Sequence, residues 1–595
     1  MNTKIKTYIG LLLILISSSC DKDFFDQVPD DRLQIGDIFK RRTTTEQYLA
    51  NIYNRIRTQM DWRFDNSFES LSDDIDVTYN DMAPFQLNIG NWDRNTSAFN
   101  RWGHYYQGIR SATFFIQNVD LNPEVPDAEK TKWKAEARFL RAYFYANLMM
   151  QYGPVILMPE ELLAPDATIE EISLPRNTYD ECVEYVVSEI NTAIPDLPMT
   201  PVNTREWGRI NRGMALAFKS RVLLYAASPL FNGNTDYADF KNLDGTVLVN
   251  QQYDANKWKL AADAAKDMID FGQYSLYMER DAGGAIMPYE SLKNVHLTDW
   301  NSEVIMARVS DNFGPDKMGS PRNVGGWSAF GPTQQLVDAF FMSNGRSITD
   351  PASGYSETGT TAQDTRYYAS GTSNMYVGRE PRFYVAITFN LSKWINNDRG
   401  SNNQPVTIQM YSGGNSGLYN GRNYSRTGYG ARKLVHPSST LEPDRIQGRL
   451  EVQLRLAEVY LNYVEALNEY EPEHPDIVKY LNMIRERAGI PPYGSEDGMV
   501  PVPGDRDAMR RAIQQERRVE LCFENLRYFD THRWKIAAQT DGGDFYGMNI
   551  EATTSAGFHQ RTVFETRQWK DKQYLWNIVQ DELNKNRNLV ENPGW

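Results

Sequence analysis

The sequence predicts a mostly α protein, built of stacked TPR-like helical hairpins that carry an irregular, loop-rich subdomain with short β-strands. Three observations point there. Apolar residues recur at helical spacing in long windows through the first and last parts of the 595-residue chain. Those windows fall in pairs, and a hairpin with one apolar face buries it only by stacking on a neighbour. Between roughly 280 and 448 the helical period fades while Gly, Ser, Asn, Thr and Tyr become frequent. The windows are irregularly spaced, so hairpin pairs are expected rather than a uniform solenoid.

The chain opens with MNTKIK, charged only at Lys4 and Lys6, and runs into the nearly all-apolar stretch from Tyr8 to Ile16. A basic start before a short apolar run reads as an export signal. It is well short of the roughly 20 residues that span a bilayer. Ser17-Ser18-Ser19-Cys20 then has the form of a bacterial lipoprotein signal, with cleavage before Cys20 and acylation of its sulfur. Residues 1–19 are therefore expected to be a signal peptide and Cys20 a lipid anchor. Each buried CH₂ of such an anchor contributes about 0.8 kcal/mol.

A first helical part is expected over 20–280. The window 132–153 is helical and stops at Gly153-Pro154. The window 178–194 puts Cys182, Val186, Ile190 and Ile194 on one face, and Thr178 with Glu181 has capping-box spacing. Windows 209–231 and 257–277 pair across the long polar loop 232–256. A loop-rich, ligand-binding insertion follows over 281–448, with β-like runs EVIMARV (303–309) and RFYVAITF (382–389). The last part, 449–595, holds helical windows at 449–470, 474–491 and 505–534, then a tail.

Composition excludes several functions. The net charge of −14 repels phosphate backbones, which argues against nucleic acid. Three cysteines cannot form a disulfide framework, and Cys182 and Cys522 read as buried free thiols. No H-E-x-x-H, C-x-x-C, G-x-S-x-G or Walker loop occurs, and the six histidines lack ligand spacing. Glu516, Glu520 and Glu524 at i, i+4, i+8, among Arg517, Arg518 and Arg527, read as a solvated or partly buried ion-pair face. No catalytic residue is nominated.

The densest acidic stretch is 61–81. Asp73 and Asp74 are candidates for hydrogen bonds to ligand hydroxyls. Asp74, Asp76, Asn80 and Asp81 resemble hard-cation ligands, but the glycine and final glutamate of an EF-hand are missing. A structural Ca²⁺ is thus the alternative, and no cofactor is the main expectation.

A protein that holds a sugar without cutting it presents flat aromatic rings and a few polar groups. Such rings belong on loops. Trp92 in NIGNWDRNT (88–96) and Trp327 in VGGWSAFGP (324–332) meet that criterion best. Tyr289 and Trp300 follow, then Trp62 and Tyr79 beside the acidic loop. Tyr143, Phe144, Tyr460 and Tyr463 lie in periodic helices and read as core, and Arg379 reads as structural.

Five blocks resemble the SusD/RagB family of Bacteroidetes outer-membrane lipoproteins. They are 135–157, 209–231, 378–389, 454–469 with 481–491, and 513–535, in the family's order across nearly the whole chain. Asp21, Lys22 and Asp23 after Cys20 also resemble the surface-export signal of such lipoproteins. The resemblance implies a TPR-like stack with a ligand-binding subdomain. It also implies a lipid-anchored place on the outer-membrane surface and capture of oligosaccharide for a SusC-like TonB-dependent transporter. In the family, ligand aromatics tend to come from the regions of Trp92 and Trp327. The alternatives are a surface glycoside hydrolase with an unrecognised carboxylate pair, or a peptide-binding partner of the transporter.

Overall fold

The structure, a computed structural model, describes residues 35–60, 67–164, 166–201, 203–310, 313–396, 404–442 and 444–595. The signal segment, Cys20 and Trp62 lie outside the described residues. Helices dominate and stack in pairs. Trp102–Asn118 packs on Asp127–Tyr152, which packs on Tyr179–Ala193; Arg212–Ala227 pairs with Ala255–Asp270. Leu456–Tyr470 touches Ala255–Asp270, Pro475–Ala488 and Arg506–Glu520. Every residue from Leu456 to Asn468 is buried, and the polar ones among them are paired: Glu458 with Arg221, Asn462 with Arg517 and Glu465 with Arg533. The close approach of 102–118 to 127–152 depends on Gly108, where a Cβ would come within 2.8 Å of the Phe144 ring.

Local chemistry sets the ends. The Thr178 hydroxyl accepts from Glu181 N–H at 3.2 Å, and the Glu181 carboxylate accepts from Thr178 N–H at 2.8 Å, closing the expected capping box. The long helix Asp127–Tyr152 stops at Gly153, whose φ of 72° a side chain would resist.

Three windows differ from the periodic reading. The window 449–470 begins as a strand, Leu450–Arg455, antiparallel to Val304–Val309; the helix starts only at Leu456. Alone, Val304–Val309 would leave its backbone groups unpaired, and the strand from far along the chain satisfies them. The run 382–389 is mostly helix, Pro381–Ala386, with only Ile387–Thr388 extended. Pro381 at the first helical position presets that turn despite the β-branched residues that follow. The window 505–534 is two helices, Arg506–Glu520 and Arg527–Arg533. Between them Phe523 and Asn525 take φ of 65° and 61°. Residues 67–69 lock that turn: the Asn525 side chain accepts from Phe68 N–H at 2.6 Å, and Glu69 accepts from the N–H groups of Phe523 and Asn525 at 3.1 and 2.7 Å.

The loop-rich region has its own core, built on Phe330, Phe340, Phe383, Phe389 and Trp394. It is completed by Ile75, Val77 and Tyr79 from far upstream and by Phe523 and Phe558 from downstream. The strand Ile75–Val77 pairs antiparallel with Phe330–Pro332.

Glu516, Glu520 and Glu524 do form the expected ion-pair face, but it is fully buried rather than solvated or partly buried. Arg455 meets Glu303 at 2.6 Å and both Glu520 and Glu524 at 2.8 Å. Arg487 bridges Glu303 and Glu520; Arg382 joins Glu380 and Glu516; Arg485 meets Glu516 at 3.1 Å. Lys433 closes on Glu524 at 2.6 Å. Burial alone would push the Glu520 and Glu524 carboxyls up, but the surrounding cations outweigh it and hold both well below the usual range. These partners come from five separate segments, so sequence spacing within one helix shows none of them.

Candidate functional site

A cleft of about 1000 Å³ opens where the chain leaves the strand Ile75–Val77. The strand pairing carries Tyr79 up to Trp327. Thr78 N–H donates to Ala329 O at 2.8 Å, and its hydroxyl donates to Ser328 O at 3.1 Å. Trp327 follows a turn that only glycine fits. Gly325 has φ of 87°, and a Cβ on Gly326 would lie 2.1 Å from the Ser320 carbonyl oxygen. Trp327 N–H then donates to Lys317 O at 2.7 Å, and the indole meets Phe313 edge-on at 5.3 Å.

Part of the lining is polar. The Arg422 guanidinium lies 3.9 Å over the Tyr79 ring and pairs with Asp81 at 2.9 Å, and both charged groups are well exposed. The Tyr79 hydroxyl donates to the Asn423 side-chain oxygen at 2.6 Å. Burial pushes that hydroxyl up to about 12, with Arg422 pulling the other way, so it stays a proton donor at neutral pH. Beside this wall Arg322 stacks on Tyr419 at 4.0 Å. The cleft therefore offers flat rings next to a fork of N–H donors, a phenol, an amide and one carboxylate. That set suits a polyhydroxylated ligand. Glycoside hydrolysis needs two carboxylates about 5–10 Å apart; among the residues lining the cleft, Asp81 is the single acid.

The predicted site residues do not converge. Trp327 lines the cleft. Trp92 does not, and this corrects its reading as a platform. It is buried 4.3 Å from the Trp576 ring and 5.3 Å from Trp595, with its indole N–H on Asn577 at 3.1 Å. The covering residues lie almost five hundred positions downstream, which no local pattern reveals. Asp73 and Asp74 are likewise corrected. Both are buried: Arg527 donates to Asp73 at 2.6 and 2.9 Å, Arg518 to Asp74 at 2.7 Å. The guanidinium groups of Arg527 and Arg518 occupy acceptor atoms of both carboxylates. Among the described residues no cluster of three or more acidic, His or Cys side chains is arranged to hold a metal. Tyr289 is half-buried beside Tyr367, under Arg366 at 4.4 Å, away from the cleft. Trp300 lines a different cleft, against Trp207.

Sequence reasoning missed Phe313, Arg422, Asn423 and Tyr419. The last three sit in LYNGRNYSR (418–426), where aromatics alternate with turn formers and arginines. That composition was a usable signal. Arg379 is structural as expected: it is buried and donates to the carbonyls of Val337 at 2.6 Å and Phe340 at 2.8 Å.

The model of the SusD family matches residues 284–595, more than half of the chain. The chain belongs to the SusD family. A second family model, described as starch-binding and associating with the outer membrane, matches residues 23–224. SusD-like protein P25 of Formosa agariphila is 22% identical over 556 residues, covering 90% of both chains. Two other curated relatives match over less. SusD-like protein P2 of the same organism is 31% identical over 26% of its length, and a SusD-like protein of Bacteroides ovatus is 25% identical over 41%. Among solved structures, BT4246 superposes with a TM-score of 0.81 at 25% identity, covering 93% of this chain and 99% of its own. A SusD-like carbohydrate-binding protein from Bacteroides fragilis shares the fold with a TM-score of 0.70 at 21% identity, covering 93% and 100%. SusD-family membership makes this a binding protein rather than an enzyme.

Proposed function

We propose that this SusD-family chain captures oligosaccharide in the cleft of Tyr79, Trp327 and Arg422 and passes it to a SusC-like TonB-dependent transporter. Acyl chains on Cys20 hold it at the outer-membrane surface. The observation that carries the reading is the Trp327 indole, set on a glycine-only turn at the wall of a cleft that the Tyr79–Arg422 stack also lines. The starch-binding, outer-membrane description of the second family model supports it, as does the likeness in fold to surface glycan-binding protein A of Bacteroides uniformis. Among the described residues no helix is long and apolar enough to cross a membrane, so a lipid tether is the attachment this reading requires.

Two or three ring contacts with hydrogen bonds correspond to affinities of roughly −4 to −8 kcal/mol, millimolar to micromolar. That range suits a protein that must release its ligand, and a neighbouring transporter adds effective concentration. No metal takes part in this reading, so EDTA should leave affinity unchanged. The deciding experiment is affinity electrophoresis of the soluble chain from residue 21 against soluble starch, xyloglucan and galactomannan, with reducing-sugar release measured in parallel. Retardation without turnover is expected, and Trp327→Ala should weaken the retardation. Release of reducing sugar, or retardation indifferent to Trp327→Ala, would refute the reading.

A further inference from the structure

We infer that the cleft between Trp207 and Trp300 is a second carbohydrate-binding site, distinct from the one at Trp327. The two clefts share no lining residue. The second has a volume of about 720 Å³ and lies between the helix Arg42–Tyr53, the turn at 204–209 and the strand pair 304–309 with 450–455.

Its centre is aromatic and open. Trp207 is 46% exposed, high for the largest apolar side chain. Its ring meets Trp300 at 6.0 Å with 66° between the planes, so two indole faces form an angled shelf. Scattered surface apolar residues need no explanation, but two adjoining indoles in a concave, polar-rimmed setting do.

The shelf is held rigid at some cost. Trp300 has φ of 49°, which a bulky side chain avoids. The next residue pins that turn: the Asn301 amide donates to the carbonyls of Val295 at 2.8 Å and Thr298 at 2.9 Å and accepts from Glu303 N–H at 3.0 Å. Asp299, on the other side, accepts from Leu450 N–H at 2.9 Å. Gly208 has φ of 88°, and a Cβ there would touch the Trp300 ring at 3.6 Å. Arg209 is fixed by Glu136 at 3.0 Å and Glu46 at 3.4 Å. Rings set in place before binding lose little entropy on meeting a ligand.

The rim decides the ligand class. Glu46 and Asp299 bring negative charge, Arg209 and Arg308 positive, and Thr204 and Asn54 add neutral donors and acceptors. The charges balance, so the site recruits neither an anion nor a cation. Indole faces with mixed donors and acceptors suit the apolar C–H faces and the hydroxyls of a neutral oligosaccharide. The ligand class rests on the oligosaccharide reading given above; the existence of the site does not.

The test is isothermal titration calorimetry of the soluble chain with maltoheptaose, xyloglucan heptasaccharide and mannohexaose. At least one should bind with two sites per chain. Trp207→Ala should weaken one of them by about tenfold while leaving the other. Trp327→Ala should do the converse, and Trp207→Phe should retain part of the second. Trp207 is surface-exposed, so an unchanged melting temperature is expected for both of its variants. A single site lost only with Trp207→Ala would support this inference and overturn the Trp327 reading. A single site indifferent to Trp207→Ala, or no binding by any of the three, would overturn the inference.

Discussion

Trp92 and Trp327 sit in nearly the same local sequence, each among turn formers and directly or closely preceded by glycine. Their fates differ completely. Trp92 is roofed by Trp576 and Trp595 and gives its N–H to Asn577. Trp327 is half-buried, packed on the loop-region core and edge-on to Phe313, and its remaining face lines the cleft. A loop tryptophan becomes an anchor or a platform according to what the rest of the chain brings against it. The acidic stretch repeats the contrast over nine residues: Asp73, Asp74 and Asp76 are sealed in, while Asp81 stands in water at the cleft rim.

Several measurements can break or sharpen that contrast. The largest effect is expected from Trp92→Ala, which empties a packed aromatic site and should cost about 3–5 kcal/mol in denaturant unfolding. Glycan affinity at the Trp327 cleft, measured where the variant is folded, should persist. Loss of binding with unchanged stability would reverse the two roles.

A second test uses pH. The Asp76 carboxylate is buried with no hydrogen-bond partner, and its nearest arginine nitrogens, from Arg426 and Arg567, stand 3.6 Å away. Burial, reinforced by Glu565, pushes it up to about 7. For a carboxyl raised in the folded state, stability is full below its unfolded value, about 4, and falls as pH climbs toward 7. Asp73 behaves oppositely. Burial opposes its ionisation, but Arg518 and Arg527 prevail and hold it to about 2, so its contribution is lost only as pH drops below about 4. Relative to Asp76→Asn, wild-type stability should therefore fall by a growing margin between pH 5 and 7, with the acid limb the same in both. An unchanged slope would show that Asp76 ionises normally.

Trp327→Ala should weaken glycan binding by about tenfold, or about 1.4 kcal/mol, with no shift in melting temperature. The smallest effect belongs to Asp81→Asn. The Asp81–Arg422 pair is exposed, so its loss should change stability by less than about 1 kcal/mol. Any measurable change should appear in affinity, since Arg422 keeps its place over Tyr79. A stability loss comparable to that of Trp92→Ala would place Asp81 with the sealed carboxylates.

Helices were legible wherever a period of 3.6 ran long enough, and the Thr178–Glu181 box was readable to the residue. Strand and helix were confused where distant pairing decided the matter, as at 450–455, or where one proline did, as at 381–386. Site residues were the hardest to see. Trp327 was visible because glycines confined to one conformation advertise a special turn. Tyr79 was visible only as a neighbour of acidic residues. Arg422 belongs to a stretch whose partner, Tyr79, lies more than three hundred positions away. Burial of the Glu516–Glu524 series was illegible for the same reason: spacing on one helix says nothing about the arginines that arrive from other segments.

The arginine–glutamate lattice has a practical consequence for anyone wishing to dissect the molecule. Its ions come from 303, 380–382, 433–455, 485–487 and 516–524. Cutting the chain after residue 448 separates Glu303, Glu380, Arg382 and Lys433 from the charges of 455–524, and neither set would have water to solvate it in the native packing. The fragment bearing the cleft should not survive as an isolated module, and heating the intact chain should melt frame and cleft in one cooperative step.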